Sequence, residues 1–370
     1  MSNMSRRSLA AVVLLALAVG LVGPAHAAGP ALAVGGAAAQ PLVGKFYEYA
    51  PAIVVDGGVK HVFACANVVA GEIRDHIVHH RYVGGREVAT DVALRPAEEK
   101  HRFDSFHVCD PEIVAGSFFY RGHVFRFALL YTGNDKPLAK GNRLGMALAD
   151  TLDGPWQRTA EPVVSFDFGG DEKRSWGVGQ PAAVNPDHGD GFLLFYTEGA
   201  SAGTRTLVRS VRMSAEGGSP MVVGAPRTVP TAGLRQADGK MPDFLNDAAI
   251  AYLPGLHEFI AVRPVRPMPS TPPTMIEARQ EIDILAEEAL AGDDGKIWRK
   301  LTVISPALTK APRNHNGGIV KDIWGGLPRA DRIGVVMTTS DDCAAALPCF
   351  PTALWSYRLH ELDFPLPASP

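Results

Sequence analysis

Five copies of one short pattern recur along the chain: a polar residue, then proline or a small residue, then an apolar strand-forming run. The clearest copy is Cys109-Asp110-Pro111-Glu112-Ile113-Val114. It is echoed at Tyr49-Ala50-Pro51-Ala52-Ile53-Val54, Gly179-Gln180-Pro181-Ala182-Ala183-Val184, Asn246-Asp247-Ala248-Ala249-Ile250 and Asn316-Gly317-Gly318-Ile319-Val320. Pro51, Pro111, Pro181, Ala248 and Gly317 hold equivalent places, spaced 60, 70, 67 and 69 residues apart. A near-constant period built on strands marks a repeat architecture, in which no repeat buries its apolar face alone.

Each repeat has the same grammar. The first predicts strands at Ala52–Val55, His61–Asn67 and His76–Val83. The second predicts Pro111–Val114, Val124–Thr132 and Asn142–Ala149, then an Asp153-Gly154-Pro155-Trp156 turn. The third predicts Pro181–Val184, Phe192–Thr197 and Leu207–Arg212. The fourth predicts Ala248–Tyr252, Glu258–Arg263 and Glu281–Ala286, and the fifth Gly318–Lys321, Arg332–Thr339 and Ala353–Leu359. Short strands at regular spacing, with 29 Pro and 38 Gly spread along the chain, argue for an all-β fold. Three or four strands per repeat, five times over, read as a five-bladed β-propeller occupying residues 41–370 as one domain. Asp293-Asp294-Gly295-Lys296-Ile297-Trp298 is similar to the Asp-box turn of propeller blades, with Ala291 in place of its Ser or Thr. The Pro-rich run Arg263–Pro273 reads as a long loop.

Residues 1–27 read as a secretory signal. Arg6-Arg7 precede an apolar run from Leu9 to Val22, and Ala25-His26-Ala27 offers a cleavage site. Both general and twin-arginine export are compatible with it. Residues 28–40 are Ala/Gly-rich and read as a flexible lead-in. The expected product is a monomer, secreted to the periplasm or outside the cell, with no membrane association after cleavage. Net charge is −3 without a basic block, which argues against a nucleic-acid partner. The four cysteines are compatible with disulfides in an exported chain. Cys343–Cys349 would close a short loop, and Cys65–Cys109 would then join the first two repeats.

In an antiparallel repeat, the start of the first strand and the end of the second lie at one face. That face collects Tyr49, Asp110, Gln180, Asp247 and Asn316 with Asn67, Asn134, Asp135, Glu198 and Arg263. The expected result is a polar funnel, a common setting for a pocket. Converging carboxylates suit glycosidic cleavage. Asp110 reads as base, Glu198 as acid and Asp247 as modulator, with Glu48, Asp135 and Asp243 in reserve. Tyr49 and Trp176 are candidates to stack on a sugar. Asn134, Arg143, Gln180, Arg263, His315 and Asn316 are candidates to bind hydroxyls or steady the acids. No Gly-x-Ser-x-Gly elbow or phosphate loop is present. His76, His79 and His80 alternate in direction along a strand, which argues against a shared metal there.

The chain resembles the five-bladed-propeller glycosidases of the arabinanase, β-xylosidase and arabinofuranosidase type, glycoside hydrolase family 43-like. The resemblance rests on Cys109–Val114, Leu129-Leu130-Tyr131-Thr132, Arg143-Leu144-Gly145-Met146-Ala147, Asp153-Gly154-Pro155-Trp156 and Phe195-Tyr196-Thr197-Glu198-Gly199, and spans most of residues 45–362. It implies hydrolysis of a pentose- or furanose-containing polysaccharide or oligosaccharide by three acids, with an axial His that His315 would match. It implies no required cofactor, and in some members a structural Ca²⁺ or Na⁺ ion near the axis. The first repeat has Ala50-Pro51 rather than Asp-Pro, and the third has Gln180-Pro181. That departure leaves a non-catalytic glycan-binding propeller as the alternative.

Overall fold

The computed structural model describes residues 40–41, 47–69, 72–137, 140–166, 175–200, 203–214, 221–271, 274, 276–292, 297–341 and 357–366. The signal segment 1–27, nearly all of the lead-in, the Cys343–Cys349 pairing and most of the Asp-box turn lie outside these residues.

The described residues are almost all strand. After the two-residue β1 (Gln40–Pro41) comes a first antiparallel set: β2 (Glu48–Asp56), β3 (Val59–Asn67), β4 (Asp75–Val83) and β5 (Arg86–Leu94). The second set is β6 (His107–Tyr120), β7 (His123–Asn134), β8 (Arg143–Ala149) and β9 (Gln157–Arg158). The third is β10 (Gly177–Val184), β11 (Gly191–Ala200) and β12 (Gly203–Arg212), edged by β13 (Val222–Val223) and β14 (Arg227–Thr228). The fourth is β15 (Ala249–Leu253), β16 (Glu258–Pro264), β17 (Gln280–Ala286) and β18 (Arg299–Ile304). Last come β19 (Arg313–Asp322), β20 (Arg332–Ser340) and β21 (Arg358–Pro365), with β1 on the outer edge of β21. Helix is confined to the short α1 (Pro306–Thr309) and one 3₁₀ turn, Glu287–Ala291, among the described residues.

Hydrogen bonding gathers these strands into four sheets. The largest joins the last set to the first through a parallel pairing of β19 with β2, in which Val320 faces Ile53. Elsewhere first strands pack side by side: β2 on β6, β6 on β10, β10 on β15 and β15 on β19. The strand expectations hold for the first and second strands of each repeat. The third strand of the last repeat is described at Arg358–Pro365, where Leu359, Leu362 and Phe364 are buried.

The apolar side chains explain why the sets pack as they do. Each neighbouring pair encloses its own cluster. Ile113, Phe127 and Leu129 meet Phe63 and Ile77, and Leu130 and Met146 meet Leu194 and Leu207. Phe195 and Val208 meet Ile250 and Phe259, Ile260 and Ile282 meet Ile319 and Val335, and Val320 and Val336 meet Ile53 and Val62. Side chains of this size contribute roughly 1.5–3 kcal/mol each when fully buried. The strands therefore carry apolar residues on both faces, and polarity is left to their ends.

Candidate active site

The residue just before the proline or small residue of each repeated pattern occupies one unusual backbone state. Ala50, Asp110, Gln180, Asp247 and Asn316 all have positive φ, at 49°, 46°, 53°, 50° and 42°. The pairing register slips beside four of them, between Tyr49 and Ala52, Cys109 and Glu112, Gly179 and Ala182, and His315 and Gly317. Such bulges re-aim a side chain. A left-handed non-glycine residue costs about 1–2 kcal/mol, and here a cross-set hydrogen bond offsets part of it. The N–H groups of Ala50, Gln180 and Asp247 donate to Oγ1 of Thr338 (3.2 Å), Thr132 (2.9 Å) and Thr197 (3.1 Å). That of Asp110 donates to Cys65 Sγ at 2.9 Å.

The five residues line one small cavity of 40 Å³ with Pro51, Pro111, Glu112, Pro181 and Gly317. Asp110 Oδ2 accepts from Thr132 Oγ1 at 3.0 Å, and Asp247 Oδ2 accepts from Asn316 Nδ2 at 2.6 Å. Burial pushes Asp110 up from the usual carboxyl range to about 6, against the pull of the Thr132 hydrogen bond. Burial also pushes Asp247 well up, with the Asp110 charge adding to it and His315 opposing it. His315 Nδ1 meets Glu277 Oε2 at 2.6 Å. Burial opposes its charged form, but Glu277, Asp247 and Asp110 outweigh that and raise its pKa. Below the acids, Lys321 Nζ donates to Glu112 Oε1 and to Ile250 O (3.4 Å), so a buried ion pair underlies the cavity.

An aromatic cluster stands beside these groups. Tyr49 stacks on Tyr357 at 5.2 Å and meets Tyr47 edge-on at 5.5 Å, and Tyr357 stacks on His315 at 6.4 Å. The Tyr49 hydroxyl donates to Cys109 Sγ at 3.2 Å. Cys109 is disulfide-bonded to Cys65 with Cα atoms 5.0 Å apart, so the expected bridge between the first two repeats is present beside Asp110.

The other expected site residues divide. Trp176 covers Gly179 and Gly199, where a Cβ would meet its ring at 2.7 and 3.4 Å. Glu198 does not line the cavity; its Oε1 accepts from Arg205 Nε at 2.8 Å. Asn134 is buried and ties its own loop, donating to Lys140 O and Asn142 Oδ1, both at 2.7 Å. Arg143 donates to Gly141 O at 3.4 Å. Arg263 is fully buried among Asp243, Glu281 and Asp283, each accepting at 2.8 Å. Its remaining N–H groups go to the carbonyls of Phe244, Pro264 and Arg235, so no donor is left for a ligand. Of the reserve acids, Glu48 meets His80 at 3.3 Å, Asp243 belongs to the Arg263 cluster, and Asp135 meets Lys136 at 3.7 Å. Glu277, Tyr357 and Thr132 escaped the sequence reading. Only Thr132 carried a usable signal, a hydroxyl recurring at the ends of second strands.

This arrangement belongs to a fold seen elsewhere. An α-L-arabinofuranosidase from Lactobacillus brevis superposes with a TM-score of 0.57 at 12% identity, covering 89% of this chain and 92% of that one. An α-L-arabinofuranosidase from Podospora anserina, solved with cellotriose, gives 0.53 at 13%, covering 89% and 96%. A family 117 glycoside hydrolase from Zobellia galactanivorans gives 0.56 at 12%, covering 88% and 89%. In fold, the chain is like these glycosidases. No protein-family model matches the chain. No curated protein matches it either.

Proposed function

We propose that the chain is a five-bladed β-propeller and a secreted glycoside hydrolase acting on pentose- or furanose-containing carbohydrate. The five-bladed reading takes each antiparallel set as a blade and counts the eight-stranded sheet as two blades joined by β19 and β2. The cycle of neighbouring first strands supports it.

The observation that carries the activity is that Asp110 and Asp247 line one cavity and that burial raises the carboxyl pKa of both. Glycosidic cleavage needs one carboxyl to protonate the leaving oxygen and one carboxylate to activate water or attack. General acids and bases work best with pKa values near the operating pH. Asp110, at about 6, is mostly ionised at pH 7 and serves as base. Asp247, which burial and the Asp110 charge push toward its protonated form, serves as proton donor. The donor role falls to Asp247 rather than Glu198 because Arg205 engages the Glu198 carboxylate. His315, held by Glu277, stabilises negative charge on either Asp. Asn316 Oδ1 is buried without a partner among the described residues and can accept from a sugar hydroxyl. The cavity admits a water or a small substituent, so the sugar ring sits above it, against Tyr49 and Trp176. That the Podospora and a family 62 neighbour were solved with cellotriose and xylotriose supports a carbohydrate ligand.

One observation favours a second reading, glycan binding without cleavage. The first, third and fifth repeats place Ala50, Gln180 and Asn316 in the ring, so only two of its five positions carry acids. Aryl pentosides, arabinan and xylan should be screened with wild type, Asp110→Asn, Asp247→Asn and Glu198→Gln. Wild type is expected to cleave at least one substrate, the two Asp variants to lose at least about 100-fold in kcat, and Glu198→Gln to stay within a few-fold. Full activity in both Asp variants would remove the assignment. Binding without cleavage by wild type would establish the second reading.

A further inference from the structure

The histidine-rich strand β4 leads to a second site, away from the ring of first strands. Alternation along β4 gives its histidines different partners. His80 lies between Glu48 (3.3 Å) and Glu87 (3.0 Å), and His76 Nδ1 meets Arg74 O at 2.8 Å. His79 meets His61 of β3 instead, with Nε2 and Nδ1 2.9 Å apart and the rings stacked at 5.1 Å. Asp153 enters from the turn after β8, and its Oδ1 lies 3.9 Å from His79 Nδ1. One nitrogen from each imidazole and one carboxylate oxygen lie within 4.8 Å of one another. His61 and Asp153 also line a cleft of 670 Å³ between the β2–β3 turn and the turn after β8.

We infer that His61, His79 and Asp153 form a binding site for a divalent metal ion of the zinc class, opening onto this cleft. A nitrogen–nitrogen contact of 2.9 Å needs a donor and an acceptor, so at least one ring is neutral with a lone pair aimed at the other. Two nitrogens on one tetrahedral zinc stand about 3.3 Å apart, given bonds of 2.0–2.1 Å. The observed His61 Nδ1–His79 Nε2 pair therefore needs little opening to admit an ion, and Asp153, nearest to the other His79 nitrogen at 3.9 Å, turns toward this pair to complete the site. Both rings are buried, at 7% and 2% exposure, and His79 stacks on Phe63 at 4.2 Å, which fixes its orientation. Two nitrogens and one oxygen suit zinc, copper or nickel better than calcium or magnesium, which prefer oxygen throughout. Arg81 faces the same oxygen, with Nη1 3.1 Å from Asp153 Oδ1. Its Nη2 holds Asp91 at 2.9 Å, so it keeps an anionic partner when Asp153 turns to the ion. Further ligand positions face the cleft, where water or a small donor completes the coordination. The ion would also pin the first strand set to the second.

The test uses the untagged full chain, stripped with EDTA, dialysed and titrated with ZnCl₂ by calorimetry alongside thermal unfolding. One equivalent is expected to bind and raise the Tm. Asp153 is 53% exposed in its side chain, so Asp153→Asn leaves the fold intact and is expected to weaken binding about 10–100-fold. His61→Asn is expected to abolish the Tm rise, and Arg81→Gln to tighten binding by freeing the carboxylate. The inference is overturned if wild type shows no saturable zinc binding, or if Asp153→Asn and His61→Asn bind zinc as tightly as wild type.

Discussion

Thr132 is the residue on which two ring positions depend. Its Oγ1 donates to Asp110 Oδ2 and accepts the N–H of Gln180. Thr132→Val removes both bonds and leaves a buried N–H unpaired, which should cost about 1–3 kcal/mol in urea unfolding. The lost bond favoured the carboxylate, so the Asp110 pKa should rise further, and the acid limb of any pH–rate profile should move to higher pH with it. Asp110 also imposes a pH dependence on stability. Its folded value, about 6, lies above the model-peptide value of 3.8, so the folded state binds the proton more tightly. The stability this supplies is fully present below about pH 4 and is lost as pH rises through about 6. Asp110→Asn should flatten that fall by roughly 1–3 kcal/mol, at 1.36 kcal/mol per pKa unit. Denaturation midpoints of both proteins at pH 4 and pH 8 would check it.

Among the elements, β19 carries the most unusual duties. It is the strand that pairs in parallel with β2, and Gly318 makes this possible, since a Cβ there would strike Pro51 O. Three residues later, Lys321 reaches from β19 to Glu112 on β6 beneath the cavity. Both are nearly inaccessible, at 1% and 4% exposure. Removing one member of such a pair strands the other's charge, whereas replacing both with apolar groups of similar volume is often neutral. Lys321→Met should therefore destabilise by about 3–5 kcal/mol. Glu112→Leu/Lys321→Met should recover most of that loss. A double-mutant cycle by chemical denaturation measures both, and additive losses would contradict the account.

Across the whole molecule, the Cys65–Cys109 bridge is the one covalent tie between the first two sets, among the described residues. It spans 44 positions of sequence, a loop whose closure in the unfolded chain is worth about 4 kcal/mol. Cys65→Ser/Cys109→Ser should lower unfolding stability by about 2–4 kcal/mol. Cys65 stands where three of the other sets place Thr132, Thr197 and Thr338, so serine there can still accept the Asp110 N–H. The double variant should consequently lose stability while keeping the ring geometry, and crystallography of the variant would test that.

The period of the chain, the strand starts and the ring itself were legible in the sequence, because each depends on a local pattern. The recurring step coincides with the five ring residues, all of which have positive φ, and proline or a small side chain follows each of them. Glu198 lies outside the cavity lining, and strand alternation accounts for it. Thr197 turns toward Asp247 of the neighbouring set, so the next residue must face the other way. Other features were decided only by the tertiary structure. Glu277 reaches His315 across 38 residues, Lys321 reaches Glu112 across 209, and Arg263 collects two carboxylates from β17 and one from the loop at Asp243. Sequence pattern states which face of a strand a side chain takes. Which partner waits on that face depends on how successive strand sets pack, and no local pattern carries that information.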